Sequence, residues 1–154
     1  MMTIQLKHIH ITQVTWHQAH SQLREIRTKV FIDEQQVPIE LEWDDLDETA
    51  QHLLVVDDKA YPVACARLLS NGSVGRMAVL KAWRGLGVGS ALLSEAISLH
   101  AQHGLQTITL SAQVHAVTFY EKAGFVVMSQ PYLDANILHV DMQLSVTRQY
   151  FVAL

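Results

Sequence analysis

Apolar and polar residues alternate over positions 7–14, where Ile9 and Ile11 are interleaved with His8, His10 and Thr12. That period of two predicts a half-buried strand. Thr15 then offers a helix cap, and Gln18 three positions on completes a capping-box pattern. Over 16–31 the period lengthens to that of a helix, with Ala19, Leu23, Ile26, Val30 and Phe31 on one stripe, and Pro38 interrupts the chain beyond it. Three strand-like runs come next, at 51–56, 61–69 and 73–80. Asp57-Asp58-Lys59 and Asn71-Gly72 separate them, and Asn-Gly between such runs signals a tight hairpin. A second helix is predicted over 88–103, with Val88, Ala91, Leu92, Ala96 and Leu99 on one face and Gly104 as terminator. Alternation at 106–112, a short helix over 116–123 closed by Gly124, and strand-like runs at 125–129 and 137–144 complete the pattern. The order predicts a mixed α+β layer architecture, an α/β fold in the broad sense.

At 154 residues the chain is expected to form a single domain spanning 1–154. Hydrophobic residues make up 49% and charged residues 17%, which excludes a disordered chain. The formal charge of −4 argues against nucleic acid or an anionic membrane as partner. Cys65 is the lone cysteine, so an internal disulfide is impossible and a cytoplasmic location is expected. No apolar stretch approaches the ~18 residues of a membrane helix, and the opening residues lack the continuous apolar region of a signal peptide. A small enzyme, a ligand-binding module and an interaction domain all survive this arithmetic.

Charge is unevenly distributed. No Lys or Arg occurs between Phe31 and Asp58, while Asp33, Glu34, Glu40, Glu42, Asp44, Asp45, Asp47 and Glu48 crowd into the first part of that stretch. Such a run is either a solvated face or a surface that concentrates a cationic ligand, and Glu42-Trp43-Asp44 would add an aromatic face for an ammonium group. His8 with His10, and His17 with His20, each share one side of an element. With no HExxH motif and no cysteine cluster, no metal is expected there.

The most informative segment is 79–90, where a strand-like run ends in Arg84-Gly85-Leu86-Gly87-Val88-Gly89-Ser90 and a helix begins. Glycines admit a ligand close to the backbone, and the unpaired N–H groups of a helix start attract phosphate. Arg84 would add a charged donor. No Lys follows Gly89, which excludes a nucleotide-hydrolase P-loop, and no acid lies between Glu95 and Glu121 to complete a dinucleotide fingerprint.

These residues resemble the acetyl-coenzyme A loop of the GNAT superfamily of N-acetyltransferases, whose pattern is Gln or Arg, two residues, Gly, one residue, then Gly or Ala. The run Gln113-Val114-His115-Ala116-Val117-Thr118-Phe119-Tyr120-Glu121-Lys122-Ala123-Gly124-Phe125 is similar to the family's later A-x-x-F-Y-x-K-x-G-F segment. Val30 to Pro38, followed by Glu42-Trp43-Asp44, resembles the ElaA-like branch of small bacterial members.

The resemblance implies a central mixed, mostly antiparallel sheet flanked by helices, and acetyl-coenzyme A as donor substrate. It implies that Met77, Ala78 and Val79 offer main-chain groups to the pantetheine arm, and that Arg84, Gly85, Leu86, Gly87, Val88, Gly89 and Ser90 hold the pyrophosphate. Gln113 would contact the pantetheine and Phe119 would wall the cofactor. Tyr120 is the candidate acid for the leaving thiolate, because a phenol with an ordinary pKa of about 10 is protonated at neutral pH. The amine acceptor must lose a proton, and Val74-Gly75-Arg76-Met77 lacks the acid that many relatives carry there. Glu34 or Glu42 acting through a water, or His115, is left as the base. Cys65 is expected to pack in the core, so transfer would be direct. A non-catalytic acyl-coenzyme A sensor and a module binding basic peptides through 33–48 remain as alternatives. The apolar end, Tyr150-Phe151-Val152-Ala153-Leu154, would suit a homodimer.

Overall fold

In the structure, a computed structural model describing residues 8–146, the predicted capping box joins the first two elements. Strand β1 (Ile9–Thr15) runs directly into helix α1 (Trp16–Arg27). Thr15 Oγ1 accepts from the Gln18 N–H at 3.2 Å, and Gln18 Oε1 accepts from the Thr15 N–H at 2.9 Å. The helix then widens into a π-helical segment, Thr28–Glu34, three residues longer than the apolar stripe indicates. After Pro38 comes a single turn, α2 (Ile39–Glu42), too short to leave a period in the sequence.

Strands β2 (Gln51–Asp57), β3 (Pro62–Leu68) and β4 (Val74–Val79) join β1 in one antiparallel sheet, ordered β1-β2-β3-β4. At the predicted Asn71-Gly72 hairpin, Gly72 takes φ +95° and donates its N–H to Leu69 O at 3.1 Å. A Cβ there would lie 2.6 Å from Thr107 O, so the turn requires glycine. Helix α3 (Val88–Gln102), strand β5 (Thr107–Gln113) and short helix α4 (Val117–Glu121) come next. The last strands are β6 (Val126–Val127), β7 (Tyr132–Asp134) and β8 (Ile137–Ser145), which with β5 form a second sheet ordered β5-β8-β6, β7 also pairing with β8. β7 is absent from the sequence prediction. Its hairpin turns on Ala135 and Asn136, both at positive φ, a type I′-like geometry built without the Asn-Gly signal.

Two apolar layers cover the first sheet. Leu92, Leu93, Ala96 and Ile97 of α3 pack on Leu53, Val55 and Val63 and continue across to Ile108, Leu110, Val140 and Met142 of the second sheet. On the opposite face, Leu23, Ile26 and Val30 meet Leu54, Cys65 and Ala78. Covered on both sides, β2 and β3 read as largely apolar runs, Leu53–Val56 and Val63–Ala66, rather than alternations. Burial pushes the Cys65 thiol up to about 12, so it is an inert packing group.

The acidic stretch corrects the sequence reading. Counter-charges for Glu42, Asp44 and Asp47 arrive from other elements, Arg27 from α1, Arg67 from β3 and Arg76 from β4, while Asp33, Glu40, Asp45 and Glu48 stay exposed. Arg27 donates from Nε to Glu42 Oε2 and from an Nη to Asp47 Oδ1, both at 2.7 Å, and is 1% exposed. Arg67 reaches Asp44 Oδ1 at 2.7 Å and Asp47 Oδ1 at 3.1 Å. The Trp43 ring already carries the Arg27 and Arg24 guanidinium groups, 4.9 and 5.1 Å from its centroid. Glu42, Trp43 and Asp44 are therefore internal partners rather than an open ammonium site. His8 and His10 both spend a ring nitrogen on Asp58, at 2.8 and 2.9 Å. Among the described residues no group of three or more His, Cys, Asp and Glu side chains is arranged to hold a metal ion. No helix among them is long and apolar enough to cross a membrane, and the tail 150–154 lies outside the described residues.

Removing one member of a buried ion network leaves the others desolvated and uncompensated. Arg27→Met is expected to lower stability by about 3–5 kcal/mol. Lys29→Ala, whose pair with Glu25 is solvent-exposed, should change it by no more than about 0.5 kcal/mol. Urea unfolding midpoints of the two variants measure the contrast.

Candidate functional site

The two sheets touch at one end only. Ser73 and Thr109 form an isolated parallel bridge, with the Thr109 N–H donating to Gly72 O at 3.1 Å, and beyond it β4 pairs only with β3 while β5 pairs only with β8. The wedge between them is a cleft of about 1030 Å³, at the top of the ~300–1,000 Å³ range of small-molecule sites.

One wall is the free edge of β4. Leu80 donates its N–H to Val63 O, so strand alternation turns the main-chain groups of Val79 and Met77 away from β3 and toward the gap. Arg84 Nε donates to Val79 O at 2.9 Å. Opposite Ala66, two residues of β4, Arg76 and Met77, fill the space of one, a bulge that shifts the register between Cys65 and Arg67 and bends the strand. Arg76 there adopts φ +46°.

The cleft mouth is the loop and first turn of α3. Gly87, at φ +88°, caps the helix without any side-chain hydrogen bond, which leaves the first-turn N–H groups turned toward the opening. A Cβ on Gly89 would stand 3.4 Å from the Phe119 ring, so α3 and α4 approach closely at this point. Of the residues predicted for the site, all but Leu86 and Val88 line the cleft. Val88 is a core residue, 1% exposed, and Leu86 is half-buried behind the loop.

Tyr120 sits inside on α4, edge-on to Phe119 and Phe125 at ring separations of 5.0 and 6.1 Å. Its hydroxyl lies 3.9 Å from Met77 Sδ, which ties it to the bulged segment of β4. Burial pushes its pKa up to about 12, so the phenol keeps its proton throughout the physiological range. Glu34 is engaged by Arg84 through two hydrogen bonds of 2.6 and 2.7 Å, and these hold its carboxyl below the usual range. Gln113 exchanges an amide hydrogen bond of 2.8 Å with Gln35 and accepts from His115 Nε2 at 2.6 Å. The segment carrying Glu34 and Gln35 thus bridges both sides of the cleft.

Glu42 is 3% exposed and forms part of the floor. Burial raises its pKa, with Arg76 and Arg27 opposing. Its Oε2 carries both arginines, Arg27 Nε at 2.7 Å and Arg76 Nε at 3.1 Å. Its Oε1 has no hydrogen-bond partner among the described residues.

Arg67, Arg76, Asp134 and His139 also line the cleft and were missed in the sequence. For the two arginines a signal existed, a cation inside an apolar strand run, which demands a buried counter-charge. For Asp134 and His139 there was none, because the β7–β8 hairpin that delivers them left no pattern.

Comparison with known proteins gives this geometry a family. The model of the acetyltransferase (GNAT) domain matches residues 16–146. The uncharacterised N-acetyltransferase YjcF of Bacillus subtilis is 37% identical over 121 residues, covering 76% of this chain and 86% of that protein. The protein ElaA of Escherichia coli is 29% identical over 147 residues, covering 90% and 95%. Among solved structures, an acyl-CoA N-acyltransferase from Pseudomonas aeruginosa superposes with a TM-score of 0.81 at 30% identity, covering 89% of this chain and 99% of that one. The crystal structure of Escherichia coli ElaA also superposes at 0.81, with 27% identity, covering 89% and 99%. The chain belongs to the GNAT family of acetyltransferases, and its mixed α+β fold, opened between β4 and β5, is that family's fold.

Proposed function

We propose that this acetyltransferase takes acetyl-coenzyme A as donor and passes the acetyl group directly to a primary amine. The observation that carries the reading is a single cleft joining an uncapped, glycine-rich helix start to a half-buried, protonated tyrosine. The N–H groups at the start of α3 and the Arg84 guanidinium suit a pyrophosphate. The cleft-facing main-chain groups of Val79 and Met77 suit the amide-bearing pantetheine arm, and Gln113 with Phe119 closes the other side. A strand advances about 3.3 Å per residue, so an arm entering at Val79 carries its thioester toward Met77. There a main-chain N–H takes up the negative charge that develops on the thioester oxygen.

Two protons must move. An ammonium has no lone pair, so a base must first take one, and Glu42 is the better placed of the two carboxylates expected for this role. Glu42 lines the cleft, its Oε1 has no hydrogen-bond partner among the described residues and burial raises its basicity, whereas Glu34 is neutralised by Arg84. As the C–N bond forms and the C–S bond breaks, the Tyr120 hydroxyl gives its proton to the departing thiolate, and the second proton that the nitrogen sheds passes through solvent and restores the hydroxyl. The inert thiol of Cys65 leaves no role for an acyl-enzyme.

Thiol release from acetyl-coenzyme A across a panel of amines tests the reading. Tyr120→Phe should lower kcat by about a hundredfold or more with the acetyl-coenzyme A Kd unchanged. Binding without release for any amine would instead give a non-catalytic acyl-coenzyme A sensor.

The pH profile has a defined sign. Deprotonated Glu42 is the active form, so kcat/KM rises with pH through a pKa above the ordinary glutamate value of about 4.3. Glu42→Gln should remove that acid limb. A valine at position 87 cannot take φ +88° without strain of about 1–3 kcal/mol, so Gly87→Val should weaken acetyl-coenzyme A binding by about tenfold or more in titration calorimetry.

A further inference from the structure

A bulge in which two residues oppose one, with the first in the left-handed region, is a place where glycine is the usual occupant. Here the residue at φ +46° is Arg76, although Gly75 stands immediately before it. A side chain in that backbone conformation persists only where its surroundings hold it. The surroundings are specific. One Nη of Arg76 donates to Glu42 O at 3.0 Å, to Leu41 O at 3.3 Å and to Asp44 Oδ2 at 3.3 Å. Its Nε lies 3.1 Å from Glu42 Oε2, and its own carbonyl accepts from Cys65 Sγ at 3.6 Å. Glu42 and Asp44 are in turn held by Arg27 and Arg67. The guanidinium is therefore fixed to the acidic loop, and the backbone that carries it is the residue immediately before Met77.

We propose that Arg76 is a positioning residue: the acidic loop grips its guanidinium, which keeps the β4 bulge in place and the Met77 N–H aimed at the thioester oxygen. The proposal rests on the acetyl-transfer reading above and assigns the loop at 41–44 a purpose in it. The acids of that loop act on the reaction through a strand they do not belong to. Removing Arg76 leaves Arg27 paired with Glu42 and Asp47, and Arg67 paired with Asp44 and Asp47, so each of the three carboxylates keeps an arginine partner while the network gains one excess negative charge.

The test uses the full chain with [1-13C]acetyl-coenzyme A and reads three quantities for wild type, Arg76→Ala and Arg76→Gly: the Kd, the infrared carbonyl stretch of the bound thioester, and kcat with an amine from the panel. Wild type should show the carbonyl band at lower frequency than free acetyl-coenzyme A, because an N–H donor polarises it. In Arg76→Ala the band should return toward the free position and kcat should fall about a hundredfold, the cost of losing one oxyanion donor. The Kd should move less than threefold, since the phosphate loop and Val79 are untouched. Glycine adopts the left-handed conformation unaided, so Arg76→Gly should recover part of both the band shift and kcat.

An alanine variant with wild-type band and rate overturns the proposal. So does a glycine variant as impaired as alanine, which would mean that Arg76 acts by its charge and not by backbone placement. A wild-type band at the free position also overturns it. Failure of wild type to bind acetyl-coenzyme A at all would be the failure of the acetyl-transfer reading, and this proposal falls with it.

Discussion

Much of this structure depends on one unpaired strand edge. Main-chain N–H and C=O groups in a protein interior need partners, and among the described residues β4 has strand partners on the β3 side alone once it passes the bridge between Ser73 and Thr109. Closing the wedge by pairing β4 with β5 would satisfy those groups and destroy the cleft. The bulge at Arg76 and Met77 bends β4, and the bridging contacts of Glu34 and Gln35 span the opening. The molecule keeps a strand edge without a neighbouring strand facing a cavity, and among the described residues only the Val79 carbonyl finds a side-chain donor there, Arg84 Nε at 2.9 Å.

Electrostatics are organised around that line in two zones of different strength. At the cleft mouth the groups are exposed: Arg84 and Glu34 are 38% and 40% accessible, so their pair is screened and readily exchanged for another anion. Beneath the floor, where Glu42 lines the cleft, Arg27, Glu42 and Asp47 are nearly sealed from solvent, and their pairing is not exchangeable without a large desolvation penalty. The mouth can adapt to a ligand while the floor holds its shape. A net charge of −4 describes neither zone, because Glu42, Asp44 and Asp47 are matched by arginines brought in from α1, β3 and β4 while the excess acid lies on exposed positions.

Legibility in the sequence depended on the distance over which each feature is encoded. The capping box at Thr15, the hairpin at Asn71-Gly72 and the stop at Gly104 all operate within about four residues, and all appear as read. The π-helical segment at 28–34, the single turn at 39–42 and β7 were illegible. They are too short to show a period, and tertiary contacts hold them rather than local propensity. At the site, the glycine loop and the Phe119-Tyr120 pair were legible because each lies in one continuous segment. The partners of Glu34 and Glu42 were not, since Arg84 is 50 positions from one and Arg76 is 34 positions from the other.

By itself the sequence determined the order of the longer elements, the family and the glycine loop with its Phe119-Tyr120 segment, because periodicity, turn chemistry and motif spacing are local properties of the chain. Only the tertiary structure decided what the acidic stretch does. Eight carboxylates in sixteen residues look like one open anionic face until the fold packs Arg27, Arg67 and Arg76 against three of them, Glu42, Asp44 and Asp47. A buried charge takes whichever counter-charge the packing brings within hydrogen-bond range, and nothing in the linear order specifies which one that is.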